Sequence, residues 1–174
     1  QDSYAQGIAA QRPFYFDHVA DLTDQAMKEW GDLTGRYYSR ASGYRLEDAE
    51  YVMAGQGSVV PNLEVVADYL RENEGMKVGV MNITMFRPFP ADLITGMLAG
   101  KKAVTVFERT DQPLAADPPL LREIRSAMGQ GVENFRASGE TPYPGVAEIR
   151  PDEVPDFFSG SFGTSGLAGV KNGM

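Results

Sequence analysis

Hydrophobic and polar positions follow two periods along this chain, and the switches between them mark its elements. Between Asp17 and Gly35, residues Val19, Leu22, Ala26, Met27, Trp30 and Leu33 recur at three- and four-residue steps, which places them on one face of a helix. Asp17 has the chemistry of an N-cap, and Gly35 stands where a helix would stop. From residue 49 to 128 the periods alternate. Tyr51, Val52, Met53 and Ala54 form an apolar run of strand length, followed by Gly55, Gln56, Gly57 and Ser58. Ser58 suits an N-cap and Pro61 a first helical turn, and Val59, Leu63, Val66 and Leu70 form a helical stripe closed near Gly75. Residues 77–83, with Val78, Val80, Met81 and Ile83, read as a second strand. Pro88 and Pro90 introduce a helix carrying Leu93, Ile94, Met97 and Leu98, which stops at Gly100. Residues 103–107 form a third apolar run, and Asp117 with Pro118 opens a helix bearing Leu120, Leu121, Ile124 and Met128.

Strand and helix alternating three times at this spacing predict parallel strands joined by right-handed crossovers, an α/β fold. The strands are near-continuous apolar runs, as expected when helices cover both faces of a sheet. Residues 36–41 are a candidate strand, and so are residues 146–149. Beyond Pro155 the chain reads as an extended arm. Nine of the 46 residues from 129 onward are glycine, so aromatic residues there have few local partners and are expected to dock on another surface. The expected division is a lead-in segment at 1–48, an α/β domain at 49–150 and an arm at 151–174.

Composition narrows the chemistry. A chain of 174 residues can bury about 70% of its extended surface, enough for one core. With 43% hydrophobic and 23% charged residues it is not a disordered polymer. A net charge of −8 disfavours nucleic acid and anionic membranes as partners. There is no cysteine, which removes disulfides, thiolate metal sites, cysteine-ligated clusters and a cysteine nucleophile from this chain. His18 is the single histidine, so a Ser-His-Asp triad and multi-histidine metal sites have almost no material. Near a helix start, His18 reads as a surface residue rather than a base. No apolar run reaches the ~20 residues that span a bilayer, and no basic stretch followed by an apolar run stands at residues 1–20. A start at Gln1 suggests a processed or excised piece, and the expected compartment is the cytoplasm.

In an open parallel sheet, ligands bind outside the carboxyl ends of the strands. Three clusters fall there: Gly55, Gln56, Gly57 and Ser58; Thr84 to Arg87; and Glu108, Arg109, Thr110 and Asp111. The first can be a tight strand-to-helix turn with a capping serine, or an anion site built from backbone N–H groups. Val60 stands where a full dinucleotide fingerprint wants glycine, and no Lys-Ser/Thr pair makes a phosphate loop. Arg87 and Glu108 can form an ion pair or a subunit contact. Arg87 or Arg109 can instead grip a substrate anion bidentately. No pair of carboxylates has a spacing that marks it for acid–base work. Trp30 and the methionines at helical spacing are expected in the core.

Taken together, these motifs resemble a known family. The run from Tyr51 to Ser58, Val65 to Leu70, Lys77 to Val80, the Phe86-Arg87-Pro88-Phe89-Pro90 step and Val104 to Thr110 look like the second domain of pyruvate:ferredoxin (flavodoxin) oxidoreductases and related 2-oxoacid:acceptor oxidoreductases. The segment Trp30 to Tyr37, with its Leu-Thr-Gly-Arg, and the tail from Pro155 to Gly163 also look like that family. The resemblance implies a domain of the alpha part with a transketolase C-terminal-like fold. That fold is a three-layer α/β/α sandwich on a mostly parallel five-stranded sheet with one antiparallel strand. Residues 36–41 would supply the odd strand and 146–149 the last one. It implies a parent enzyme that converts a 2-oxoacid to an acyl-CoA and passes electrons to ferredoxin or flavodoxin, using thiamine diphosphate, magnesium, coenzyme A and 4Fe–4S clusters on other domains. Gly31, Asp32 and Leu33 come nearest to a thiamine diphosphate motif and fail at the third position. No catalytic residue carries over to this chain. The expected role is a non-catalytic domain that supports assembly and a neighbouring thiamine diphosphate site. An anion- or nucleotide-binding regulatory module using Gly55, Gln56, Gly57, Ser58 and Arg87 is the alternative.

Overall fold

Five strands form one sheet in the order β1-β3-β2-β4-β5 in the computed structural model, which describes residues 1–110 and 112–163. The strands are β1 (Ala41–Tyr44), β2 (Tyr51–Gly55), β3 (Val78–Ile83), β4 (Ala103–Glu108) and β5 (Asp156–Ser161). The helices are α1 (Asp2–Phe14), α2 (Val19–Thr34), α3 (Val60–Glu74), α4 (Ala91–Leu98) and α5 (Pro119–Arg136). β1 runs antiparallel to β3, and every other pairing is parallel. No helix among the described residues is long and apolar enough to cross a membrane.

The pleat splits the apolar runs into two cores, because neighbouring side chains on a strand point to opposite faces. Val52, Ala54, Met81, Ile83, Val104 and Val106 pack against α4 and α5, through Ile94, Leu98, Leu121 and Ile124. Met53, Val78 and Val80 pack against α3, through Val60, Leu63 and Ala67. Helices therefore lie on both faces of the sheet, and the three-layer α/β/α architecture expected from the sequence is the observed one. The helix stops are also where the sequence puts them. Gly35 and Gly75 take left-handed φ of 73° and 65° at the ends of α2 and α3, a conformation that costs a side chain free energy.

Several elements differ from expectation. The antiparallel strand occupies Ala41–Tyr44 instead of 36–41, because Tyr37 folds back over Gly31 and donates a hydrogen bond to Asp32. The fifth strand is Asp156–Ser161 instead of 146–149, so part of the expected arm is a sheet edge. Residues 146–149 are consumed differently. Ile149 is fully buried on α5 beside Gly131, and its N–H donates to the Gly131 carbonyl. Asn134 of α5 donates to the carbonyls of Tyr143 and Val146 and accepts from the Tyr143 N–H, which pins that loop onto the helix. α1 has no counterpart in the sequence reading: it buries no residue and shows no apolar stripe. The expected caps Asp17 and Ser58 make no side-chain capping bond.

The face of α2 follows the predicted stripe, but it does not enter the core. Gly31 is the only buried residue of the helix. Trp30, expected inside, is 51% exposed, and Leu22 and Leu33 are exposed as well. What holds α2 to the body is Arg40, a residue only 7% exposed. Its Nε donates to both carboxylate oxygens of Asp24 on α2, each at 2.9 Å. Its terminal nitrogens donate to Asp92 in the first turn of α4, at 2.9 and 2.6 Å. A carboxylate there also complements the helix dipole. Burial resists ionisation of Asp92, but the hydrogen bonds and charge of Arg40 outweigh it and hold the carboxyl below its ordinary range.

That shift has a defined sign. A carboxyl whose pKa is lowered by folding contributes stability fully above its unfolded value, near 4, and loses it as pH falls through the folded value. Asp92→Asn should therefore lower unfolding free energy by about 1–2 kcal/mol at neutral pH. The gap from the parent chain should close as pH falls below about 4. Urea titrations of both chains at pH 7 and pH 3 measure this. A gap independent of pH would show that the Asp92 charge is not what matters.

Candidate functional site

The strand order decides which of the expected clusters can meet. β2 lies between β3 and β4, so the turn after β2 is central, and the ends of β3 and β4 stand about 10 Å apart. Arg87 and Glu108 therefore do not pair. Arg87 donates to Glu123 of α5 and to the Phe86 carbonyl, each at 2.9 Å, and stacks 4.3 Å from the Phe86 ring centre. Phe86 meets Phe89 edge-on, and the intervening Arg87–Pro88 bond is cis.

Glu108 takes a role that the sequence did not signal. Its carboxylate accepts from the backbone N–H groups of Leu120 at 2.7 Å and Leu121 at 3.2 Å. These donors belong to the first turn of α5, where a helix has N–H groups without intrahelical partners. Pro118 and Pro119 supply no N–H, so the strand-end carboxylate caps the helix that follows. Asp117, expected to do this, is paired with Arg125 instead. Arg109 reaches the Gly163 carbonyl at 3.4 Å, and Ser161 donates to the Thr110 carbonyl, which ties the end of β5 to that of β4. Asp111 lies outside the described residues.

The glycines after β2 have a packing reason. A Cβ on Gly55 would lie 2.8 Å from Val59 and 3.2 Å from Leu63, so only glycine lets α3 approach the strand end. Gly57 has φ of 72°. Gln56 and Ser58 are exposed, and the Ser58 carbonyl accepts from Asn62 at 3.4 Å. Among the described residues no three His, Asp or Glu side chains converge on a metal-sized site. The shifted carboxyls mark structural ion pairs: Asp92 with Arg40, Asp32 with Lys28, Asp48 with Arg71, and Glu50 with Lys102 and Lys77. His18 is exposed at the start of α2.

Sequence reading missed an apolar groove of about 630 Å³ along α2. Leu22, Ala26, Met27 and Trp30 of α2 line it, together with Tyr38 and Thr84. The stripe itself was legible, but not that it would stay uncovered. Arg40 carried no signal that separated it from the other arginines. A smaller hollow of about 220 Å³ lies on the α3 face of the sheet, between Leu70, Met76, Thr105 and Phe107.

Removing the helix cap gives a direct check. Glu108→Ala should lower stability by about 1–2 kcal/mol in a urea titration, because two N–H groups lose their acceptor. Breaking the exposed Arg87–Glu123 pair with Arg87→Ala should cost under about 1 kcal/mol. The reverse order of effects would contradict the assignment of Glu108.

Comparison of the sequence with known proteins places it in a family. Residues 49–146 match the family described as pyruvate:ferredoxin oxidoreductase core domain II. The chain is 33% identical over 155 residues to pyruvate synthase subunit PorA of Thermotoga maritima, covering 83% of this chain and 39% of that protein. It is 30% identical over 158 residues to the pyruvate:ferredoxin oxidoreductase of Moorella thermoacetica, covering 90% of this chain and 13% of that one. It is 27% identical over 165 residues to the pyruvate-flavodoxin oxidoreductase of a Nostoc species, covering 94% and 13%. The chain thus spans well under half the length of these relatives. With more than half of its residues matched by the family profile, it belongs to the pyruvate:ferredoxin oxidoreductase core domain II family.

Proposed function

We propose that this chain serves as a non-catalytic domain of a 2-oxoacid:ferredoxin or flavodoxin oxidoreductase, most simply one acting on pyruvate. It gives shape and contact area to a parent enzyme whose other domains carry the chemistry. The observation that carries this reading is the use of the charged side chains at the strand ends. Glu108 is committed to the α5 N-terminus and Arg87 to Glu123, within the chain itself.

The cofactors of the parent reaction do not fit the donors here. Clusters of the 4Fe–4S kind need thiolates, and the chain has no cysteine. A thiamine diphosphate site of the family's kind needs a Gly-Asp-Gly motif, and residues 31–33 read Gly-Asp-Leu. In this reading thiamine diphosphate, magnesium, coenzyme A and the clusters sit on companion domains, and ferredoxin or flavodoxin meets those domains in the cytoplasm. This domain, with a sheet of transketolase C-terminal kind, supports the neighbouring thiamine diphosphate site through contact.

Two measurements test this. The purified chain should reduce no ferredoxin or viologen dye with pyruvate and coenzyme A, and turnover should appear only with the rest of the enzyme present. Turnover by the chain alone would overturn the proposal. Thiamine diphosphate, coenzyme A and ATP should each leave its melting midpoint unchanged. A ligand bound at the Gly57 turn and present at 100 times its Kd would add about 2.7 kcal/mol and establish the regulatory alternative.

A further inference from the structure

The apolar face of α2 is the feature that the proposed role leaves unexplained, and the inference drawn from it rests on that role. A soluble protein seldom keeps a contiguous stripe of large apolar side chains open to water. Here Leu22, Met27 and Trp30 line an open groove with Tyr38, and α2 is clamped in that posture by Arg40 between Asp24 and Asp92. The surface is therefore prearranged and does not have to be ordered on binding, which removes part of the entropic cost of association.

The relatives indicate what covers it. A match over 94% of this chain leaves too few residues outside it to omit α2, so the helix belongs to the shared sequence. It lies outside the domain II profile at 49–146, yet within proteins of which this chain is only 13–39%. Charge speaks against a second copy as the occupant. Of the four carboxylates on α2, Asp24 is taken up by Arg40 and Asp32 by Lys28, which leaves Asp21 and Glu29 without a cation among the described residues. Two copies packed face to face would bring these acidic flanks together.

We infer that the α2 groove is an interdomain docking surface that receives an apolar, basic-flanked segment from the rest of the parent oxidoreductase, with Trp30 as its central anchor. A tryptophan in a groove that becomes desolvated is the residue type that most often dominates an interface.

Trp30 is the only tryptophan in the chain, so it can report on its own surroundings. The chain labelled with 5-fluorotryptophan is mixed with the remainder of the oxidoreductase, expressed as a separate polypeptide. Association is followed by sedimentation and by the fluorine resonance. The resonance should move on binding. Trp30→Asp and Leu22→Asp should each weaken association about 30-fold with unchanged circular dichroism, and added salt should weaken it further. If both variants bind like the parent chain and the resonance stays in place, the groove is not the contact, while the domain assignment stands. If the unaltered chain fails to associate at all, the proposed supporting role itself fails. A resonance that moves with the concentration of the chain alone would show that a second copy occupies the groove.

Discussion

A buried guanidinium joins the two parts of this protein. The sheet and helices α3 to α5 would form a core without α2, since that helix buries only Gly31. Arg40 makes the connection, with Asp24 on one side and Asp92 on the other. A guanidinium has five donors in a fixed plane, and four hydrogen bonds to two carboxylates use that plane well. A lysine there would provide a point charge without the fork, and α2 would be held less firmly. Pairing a buried guanidinium with two partly exposed carboxylates is weak evidence for net stability, since desolvation of the cation offsets much of the attraction. Its value here is geometric: it fixes where α2 lies.

The quiet character of the strand ends follows from a different constraint. In a parallel sheet the crossover helices begin near the carboxyl ends of the strands, and their first N–H groups need acceptors. A ligand can satisfy those groups, and so can the protein. Glu108 does so for α5, while the close approach of α3 to Gly55 fills the corner beside the β2 turn. The place where many α/β domains hold a substrate is occupied by the chain's own carboxylate and side chains. The proposed supporting role rests on that use of the strand ends.

Much of this was legible in the sequence where burial enforces a period. Strands β2, β3 and β4 and helices α3 to α5 are covered by the core, so their apolar positions carry the pattern that locates them. The edge elements were not legible for the opposite reason. β5 is the run Asp-Phe-Phe-Ser-Gly-Ser, half exposed on a sheet edge, and its polar residues read as an arm. Residues 146–149 have the apolar character of a strand, but Asn134 and Gly131 of α5 use them as a packed loop. The same logic explains Trp30. A stripe at helical spacing shows that one face is apolar, and says nothing of whether its cover lies in the same polypeptide. Glu108 was singled out by position, yet its partner is a backbone N–H twelve residues on, which no side-chain pattern encodes.

The central claim is that Arg40 holds α2 on the α/β body with its apolar face turned outward. Amide hydrogen exchange of the full chain, compared with Arg40→Met, tests it most directly. The expected result is exchange about tenfold or more faster along α2, with β2, β3 and β4 as well protected as before. Unchanged protection of α2, or equal loosening of the sheet, would contradict the claim.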